Sequence, residues 1–487
     1  MSDYDAVIIG TGQAGSPLAM RLAGAGMKVA IVERGLVGGT CVNTGCTPTK
    51  TLIASAHAAH MTRRAAEYGI VIDGVVTVDM KRVKARKDAV VEQSRRGLKA
   101  SLEQTEHCTF LEGHARFLSP REVGVGGRVL KAERFFINVG ARAVVPAMPG
   151  LDQVAYMTNT SMMDLDTLPR HLVIIGGGSV ALEFGEMYRR FGSAVTLVER
   201  GPRLIQHEDE DVSQAVQDIL EGEGIAVQLR TTCTSVAKRG DDISVAIKGA
   251  DGGTEITGSH LLLAVGRCPN TDDLGLDKAG VRRDEHGYIG VDDQLRTNVP
   301  GIWALGNCNG RGAFTHTSYN DFEIVAANLL DDDPRRVSDR VLAHALYTDP
   351  PLGRAGMTEA EARQLGRRVL VGQHSMTRVA RAVEKGETQG FMKVLVDGDT
   401  KEILGASILG PGGDEVIHCV LEPDDREGAL HRAVARDAHP SDGIGAAADD
   451  PRRAPAVVRG IEEGIHTRVV RLSRSLRVGL GMAGATT

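Results

Sequence analysis

A chain of 487 residues with 57 Lys and Arg against 63 Asp and Glu carries a net charge of −6, so it offers no basic surface to a nucleic-acid backbone. Aromatic residues are 3% of it, too few for a platform that stacks single-stranded bases. No apolar run reaches the roughly 18 to 20 residues of a membrane-spanning helix, and the acidic start Met1-Ser2-Asp3-Tyr4-Asp5 does not look like a secretion signal, so a soluble, cytoplasmic protein of about three domains is expected.

The first element is a β-branched run, Val7-Ile8-Ile9, that breaks into Gly10-Thr11-Gly12-Gln13-Ala14-Gly15. A helical pattern follows through Leu18, Met20, Leu22 and Ala23, and a second apolar run, Val29 to Val32, ends on Glu33. Strand, glycine loop, helix, strand and acid in this order are the fingerprint of a dinucleotide site. Gly10 makes the tight turn, Gly12 lets backbone approach a diphosphate, and Gly15 lets helix and strand pack closely. The helix start offers its N–H groups to the phosphates, and Glu33 can accept from a ribose.

Two thiols come next, in Gly38-Gly39-Thr40-Cys41-Val42-Asn43-Thr44-Gly45-Cys46-Thr47-Pro48-Thr49-Lys50. Five positions apart, with a glycine between them, they can close a small disulfide ring. A helix continuing from Thr51 would point its N-terminus at them and favour the thiolates that exchange chemistry needs. A metal site is not expected, because no second Cys or His pair stands at ligand spacing. The other five cysteines, Cys108, Cys233, Cys268, Cys308 and Cys419, are isolated and read as small buried hydrophobes.

The fingerprint then repeats. Val173-Ile174-Ile175-Gly176-Gly177-Gly178 leads through Ser179-Val180-Ala181 to Val198-Glu199-Arg200. Gly10 to Glu33 and Gly176 to Glu199 are both separated by 23 positions, from 33 − 10 and 199 − 176. Ala181 stands in for the third glycine, which the fingerprint tolerates. Two such units suggest a bound flavin dinucleotide at the first and a diffusible nicotinamide at the second. Glu199 favours NAD(H) over NADP(H), since a carboxylate repels a 2′-phosphate, although Arg200 and Arg203 stand close by.

With these segments the chain resembles the class I flavoprotein disulfide reductases, the family of dihydrolipoamide dehydrogenase, glutathione reductase and mercuric reductase. The resemblance runs from about residue 4 to about residue 420 and includes Gly113-His114-Ala115, Asn138-Val139-Gly140-Ala141-Arg142, Ala264-Val265-Gly266-Arg267-Cys268-Pro269-Asn270, Trp303 to Asn307, and Tyr347 to Pro351. It implies an α/β fold: an FAD-binding Rossmann-like domain from residues 1–150 and 267–338, an NAD(P)-binding Rossmann-like domain over 151–266, and an α+β dimerisation domain over 339–487. It further implies that Cys46 faces the flavin and Cys41 is the interchange thiol, and that Lys50, paired with Glu183, sits beside the flavin ring. Thr40, Ala115, Gly266, Arg267 and Thr315 are the other positions it assigns to cofactor binding. Asn307 stands where the family has a ribityl-binding Asp, which removes a charge from the flavin's surroundings.

The pattern breaks near residue 421. The family's His-Pro-Thr-x-x-Glu segment has its nearest match in His439-Pro440-Ser441-Asp442-Gly443-Ile444, with Ile444 at the Glu position. From Leu421 to Thr487 there are ten Arg but no Lys, Phe, Tyr or Trp, a poor composition for an interface core. A frameshift near residue 421 explains this. A reading frame one nucleotide later lets His439 to Ala446 be encoded so as to read Ile-His-Pro-Thr-Val-Ser-Glu. In the frame as given, His439 is the surviving candidate base, while His316 and His418 read as structural.

The expected activity is transfer of electrons from NAD(P)H through FAD to a Cys41–Cys46 disulfide, and thence to a small-molecule disulfide, dithiol or metal acceptor, in a homodimer. The cysteine segment and Arg381 to Thr388 look most similar to the mercuric-reductase subgroup, with dihydrolipoamide dehydrogenase the alternative. A non-catalytic flavoprotein redox sensor is the alternative of another class.

Overall fold

The N-terminal apolar run forms strand β1 (Tyr4–Ile9), buried from Ala6 onward because it lies inside a parallel sheet covered on both faces. After the glycine loop, helix α1 (Gly15–Gly24) lays Leu18 and Leu22 against the sheet, and its small residues Ala19 and Ala23 let it lie close. Strand β2 (Val29–Glu33) pairs in parallel with β1, Val7 opposite Ala30 and Ile9 opposite Val32. Helices α2 (Gly39–Asn43), α3 (Cys46–Arg63) and α4 (Met80–Gln104) follow, the last capped by the Asp79 carboxylate on the Arg82 N–H. Strand β3 (Cys108–Glu112) joins the free side of β2, and β4 (Ala115–Ser119) and β5 (Glu122–Val125) form a hairpin. Strand β6 (Arg128–Ile137) serves both sheets: its first half pairs with β5, and its second half lies parallel to β1.

After β7 (Ala141–Ala143) and β8 (Tyr156–Met157) the motif recurs as β9 (His171–Ile175), α5 (Ser179–Phe191) and β10 (Ala194–Val198). Helix α6 (Glu210–Gly222) and β11 (Ala226–Gln228) extend it, then an antiparallel three-stranded sheet, β12 (Thr232–Arg239), β13 (Asp242–Gly249) and β14 (Gly252–Gly258), precedes β15 (His260–Leu263). The second parallel sheet has the order β11-β10-β9-β15-β8, the same placement of the first strand beside its partner as in the first copy. Strand β16 (Arg267–Pro269) pairs with β7, and after α7 (Leu276–Ala279) the chain returns to the first sheet as β17 (Ile302–Ala304), parallel to β6. Helix α8 (Thr315–Leu330) follows.

The structure, a computed structural model, describes residues 3–250 and 252–421, in two units: one holds the described residues up to Leu204 with Leu220–Arg340, the other Ile205–Ile219 with residues 341–421. The second unit is built on an antiparallel sheet of β18 (Ala343–Leu346), β19 (Leu352–Gly356), β20 (Val369–Ser375), β21 (Phe391–Asp397) and β22 (Ile403–Leu409), in the order β18-β19-β22-β21-β20. Within it the buried Lys393 ammonium meets both Asp211 oxygens at 3.0 Å, Asp209 at 3.2 Å and Glu359 at 3.0 Å, so a cation in the sheet neutralises the acidic segment packed on it. His439, and the whole stretch after Leu421, lie outside the described residues. Among the described residues no helix is long and apolar enough to cross a membrane.

Candidate active site

The first glycine loop is shaped by backbone crowding. Gly10 has φ +105°, and a Cβ there would stand 2.3 Å from the Asn138 carbonyl oxygen, so neither its conformation nor its surroundings admit a side chain. Gly39, φ +61°, would bring a Cβ to 3.0 Å from the Gly12 Cα. Two glycine segments therefore meet at the start of α1 with backbone alone facing outward, a cradle that fits the diphosphate of a dinucleotide. Glu33, at the end of β2, accepts from the Thr11 N–H at 3.0 Å and the Thr11 hydroxyl at 2.7 Å, and its other oxygen accepts from the Gly35 N–H at 2.9 Å. The Gly38 N–H donates to the Thr11 hydroxyl at 3.0 Å, which locks the loop to the cysteine segment. Thr11 is a loop-organising residue that the fingerprint alone did not single out; its hydroxyl at an unconstrained position of the motif is the signal.

Helix α3 begins at Cys46, five residues ahead of the Thr51 start expected from sequence, while Cys41 sits on the short α2. Gly45 separates them with φ −131° and ψ −120°, a conformation far from helical, and a Cβ on it would stand 2.9 Å from the Thr40 carbonyl oxygen. Both cysteines are free thiols here and partly buried. The Cys46 sulfur lies 2.9 Å from the Thr315 hydroxyl, the first residue of α8, so two helix N-termini converge on one sulfur. Cys46 is pulled down to about 6, chiefly by the hydrogen bond from Cys41, helped by Thr315 and the Lys50 charge, against burial and Glu183. Cys41 is pushed up by the same hydrogen bond, by burial and by the neighbouring Cys46 charge. One proton is thus held on Cys41 while Cys46 carries the negative charge.

Lys50, one turn along α3, donates to both oxygens of the Glu183 carboxylate at 2.9 Å. Glu183 stands on α5, and its side chain is 10% exposed against 33% for Lys50, so the acid is the fixed partner and the ammonium reaches toward it. Arg267 Nη2 lies 3.4 Å from the Thr40 hydroxyl and also donates to the Ala141 carbonyl, while its Nε is buried with no hydrogen-bond partner among the described residues. Such an orphaned donor beside the dithiol segment fits a ligand that brings acceptors.

At the second loop Gly176, φ +123°, repeats the crowding of Gly10: a Cβ would stand 2.3 Å from the Ala264 carbonyl oxygen. Gly178, just before α5, has open space around it. Glu199 is buried and accepts from the Gly201 N–H at 2.6 Å. Gly266 has φ +121° and links Val265 to Arg267. Asn307 lies on a 3-10 turn, Gly306–Asn309, with its amide donating to the Ala313 carbonyl at 3.3 Å. That turn is held by the buried Asp321, which accepts from the Gly306 N–H at 2.7 Å and from Asn309 at 2.9 Å and is paired with Arg340. Asp321 is another residue the motif reading passed over.

Ala115 is buried in the apolar core of the first unit, so any cofactor contact there falls to its backbone. Of the five isolated cysteines only Cys308 is fully buried, its thiol pushed up to about 12 by desolvation; Cys108, Cys233, Cys268 and Cys419 are half-buried, a correction to the expectation for all five, and the first three of these lie on the edge strands β3, β12 and β16. His316 stacks on Phe314 with ring centroids 5.5 Å apart. Among the described residues no cluster of three His, Cys, Asp or Glu could hold a metal ion.

Residues 4–321 match the model of the pyridine nucleotide-disulphide oxidoreductases, and residues 342–421 match the dimerisation domain of the same family. The chain is 35% identical to dihydrolipoyl dehydrogenase of Thermus scotoductus over 86% of its own length and 90% of that protein. It is 34% identical to mercuric reductase of Streptomyces lividans over 85% of its length and 88% of that protein. The solved Cu(II) complex of the HOCl-induced flavoprotein disulfide reductase RclA from Escherichia coli superposes with a TM-score of 0.78 at 33% identity, covering 86% of this chain and 92% of that one. With both of its domain types matched and its dithiol in place, the chain belongs to the pyridine nucleotide-disulphide oxidoreductases, FAD-dependent enzymes that use a pyridine nucleotide.

Proposed function

We propose that the Cys41–Cys46 pair is the redox centre of this enzyme, with Cys46 as the cofactor-facing thiol and Cys41 as the interchange thiol. The observation that carries this reading is the Cys46 sulfur at the head of two helices, 2.9 Å from the Thr315 hydroxyl. Gly10, Gly12, Gly15, Glu33 and the Gly306–Asn307 turn would hold FAD, which would supply a two-electron carrier between the nicotinamide and the dithiol. The residues of the chain do the rest. Thr315 and Lys50 hold negative charge on Cys46, and Glu183 fixes Lys50. Cys41 gives up its proton to solvent, its sulfur attacks an acceptor disulfide, and one acceptor sulfur departs as a thiolate. The Cys46 thiolate then attacks the Cys41 sulfur, forming the 41–46 disulfide and releasing the second acceptor sulfur as a thiolate, so two electrons pass from the dithiol to the acceptor.

The pyridine nucleotide binds at Gly176 to Gly178, and the carboxylate at Glu199 favours NADH, because it would face a 2′-phosphate with like charge. The acceptor is a soft metal ion or a small disulfide. Likeness to mercuric reductase and to a reductase solved with Cu(II) supports the metal, and likeness to dihydrolipoyl dehydrogenase supports the disulfide. His439 is the candidate base for the Cys41 proton if the frame is as given, and the family match ending at residue 421, where composition changes, supports a frameshift there. The dimerisation domain supports a homodimer.

Cys41→Ser tests the division of labour. It is expected to keep bound flavin and its reduction by NADH while losing turnover with disulfide or metal acceptors; retained turnover would overturn the role of Cys41.

A further inference from the structure

The two nucleotide loops are built on one template, which makes the differences between them informative. In each, the first glycine N–H donates to the carbonyl of the residue just before the acid of the motif: Gly10 to Val32 at 2.8 Å and Gly176 to Val198 at 2.9 Å. In each, the residue after the return strand donates its N–H to the last residue of the first strand: Asn138 to Ile9 and Ala264 to Ile175, both at 2.8 Å. A Cβ on Gly10 or Gly176 would stand at the same 2.3 Å from the carbonyl oxygen of Asn138 or Ala264. Asn138 and Ala264 are therefore the same position in the two copies.

Their side chains differ. Asn138 is 7% exposed, and its amide, oriented so that donors meet acceptors, accepts from the Gly15 N–H at 2.8 Å and the Gly12 N–H at 3.3 Å. The other end of the amide lies 3.2 Å from where a Gly306 Cβ would stand. Asn138 thus reaches the first loop and lies against the Gly306–Asn307 turn. Ala264 has nothing to reach with. The loop residues follow suit: a Cβ at Gly15 would stand 2.7 Å from the Asn138 amide, whereas the second copy carries Ala181 at this position, and a Cβ at Gly12 would stand 3.0 Å from that amide while Gly178 has open space.

We propose that Asn138 is a positioning residue for the flavin, a brace that occupies the Gly12 and Gly15 amides from behind and so presets the intervening Gln13 and Ala14 amides for the diphosphate. The Ala264 loop lacks the brace. One copy is made rigid for a cofactor that stays, the other left adaptable for a nucleotide that comes and goes. This rests on the first loop being the FAD site.

The test compares the full-length parent, Asn138→Ala and Asn138→Asp, each stripped of FAD and retitrated, with FAD affinity read from quenching of flavin fluorescence, apoprotein melting followed separately, and KM for NADH measured after reconstitution. Asn138→Ala is expected to bind FAD roughly tenfold more weakly with KM for NADH unchanged. Asn138→Asp keeps an acceptor toward both amides, so it is expected to fold even if the alanine variant does not. Its charge behind the diphosphate weakens FAD binding, with recovery as pH falls and the carboxyl protonates. Parental FAD affinity at neutral pH in either folded variant overturns the proposal, as does an equal loss for FAD and NADH, which would mark a general brace of the fold. A parent that binds no FAD would instead overturn the reading of the first loop.

Discussion

The Thr315 hydroxyl and the Cys46 sulfur, 269 positions apart in the chain, lie 2.9 Å from each other at the start of two different helices. A hydroxyl and two helix N-termini aimed at one sulfur stabilise a thiolate, so the state of this atom is set by the fold and not by the cysteine segment alone.

The first expectation concerns pH. Because the Cys46 value is lowered to about 6, its thiolate is present above that pH and is lost as pH falls through it. In the reduced enzyme the long-wavelength thiolate-to-flavin absorbance should therefore titrate with a midpoint near 6. Thr315→Val removes the hydroxyl and is expected to move that midpoint up by about one unit, the worth of one hydrogen bond to a charged group. An unmoved midpoint would mean that the hydroxyl does not serve the thiolate.

Lys50 and Glu183 act on Cys46 with opposite signs. The ammonium lowers the Cys46 value and the carboxylate raises it. Lys50→Met should raise the midpoint of the same titration and Glu183→Gln should lower it. Each shift should be under about one unit, because a third of the Lys50 side chain is solvent-exposed and its charge is screened.

Gly10→Ala and Gly176→Ala separate the two loops. Each adds a Cβ 2.3 Å from a backbone oxygen at positive φ, so each must distort its own loop. The first is expected to lower FAD content of the purified protein, and the second to leave flavin bound while raising KM for NADH at least tenfold. Equal effects of both on both nucleotides would contradict the assignment of loops.

Asp321→Asn tests the support of the Gly306–Asn307 turn. It leaves Arg340, whose side chain is 7% exposed, without its buried counter-charge. A loss of about 3 to 5 kcal/mol is expected, read as a fall in the denaturant midpoint.

The repeat was legible because its parts are local. Strand, glycine loop, helix and acid follow one another within a few turns of chain, and matched spacing in two copies removes most of the chance of coincidence. The dithiol was legible for the same reason. What the sequence did not show is what depends on distant pairing. The early start of α3 at Cys46 depends on Gly45 breaking the backbone between two short helical stretches, which apolar periodicity does not register. Asn138 is one polar residue after a strand, and only the pairing of β6 with β1 brings it under the first loop. Asp321 sits in a helix with Glu323 two positions on, and reads as surface until Arg340 and the Gly306 turn close over it. The acidic residues Asp209 and Asp211 likewise find Lys393 only in the folded second unit.

The most direct test of the electron path is an anaerobic titration of the purified protein with NADH, followed by visible absorbance. Growth of a long-wavelength thiolate-to-flavin band as the oxidised flavin absorbance changes is expected, and Cys46→Ser should abolish it. Bleaching of the flavin with no such band in the parent would mean that electrons do not reach Cys41 and Cys46, and would contradict the dithiol as the redox centre.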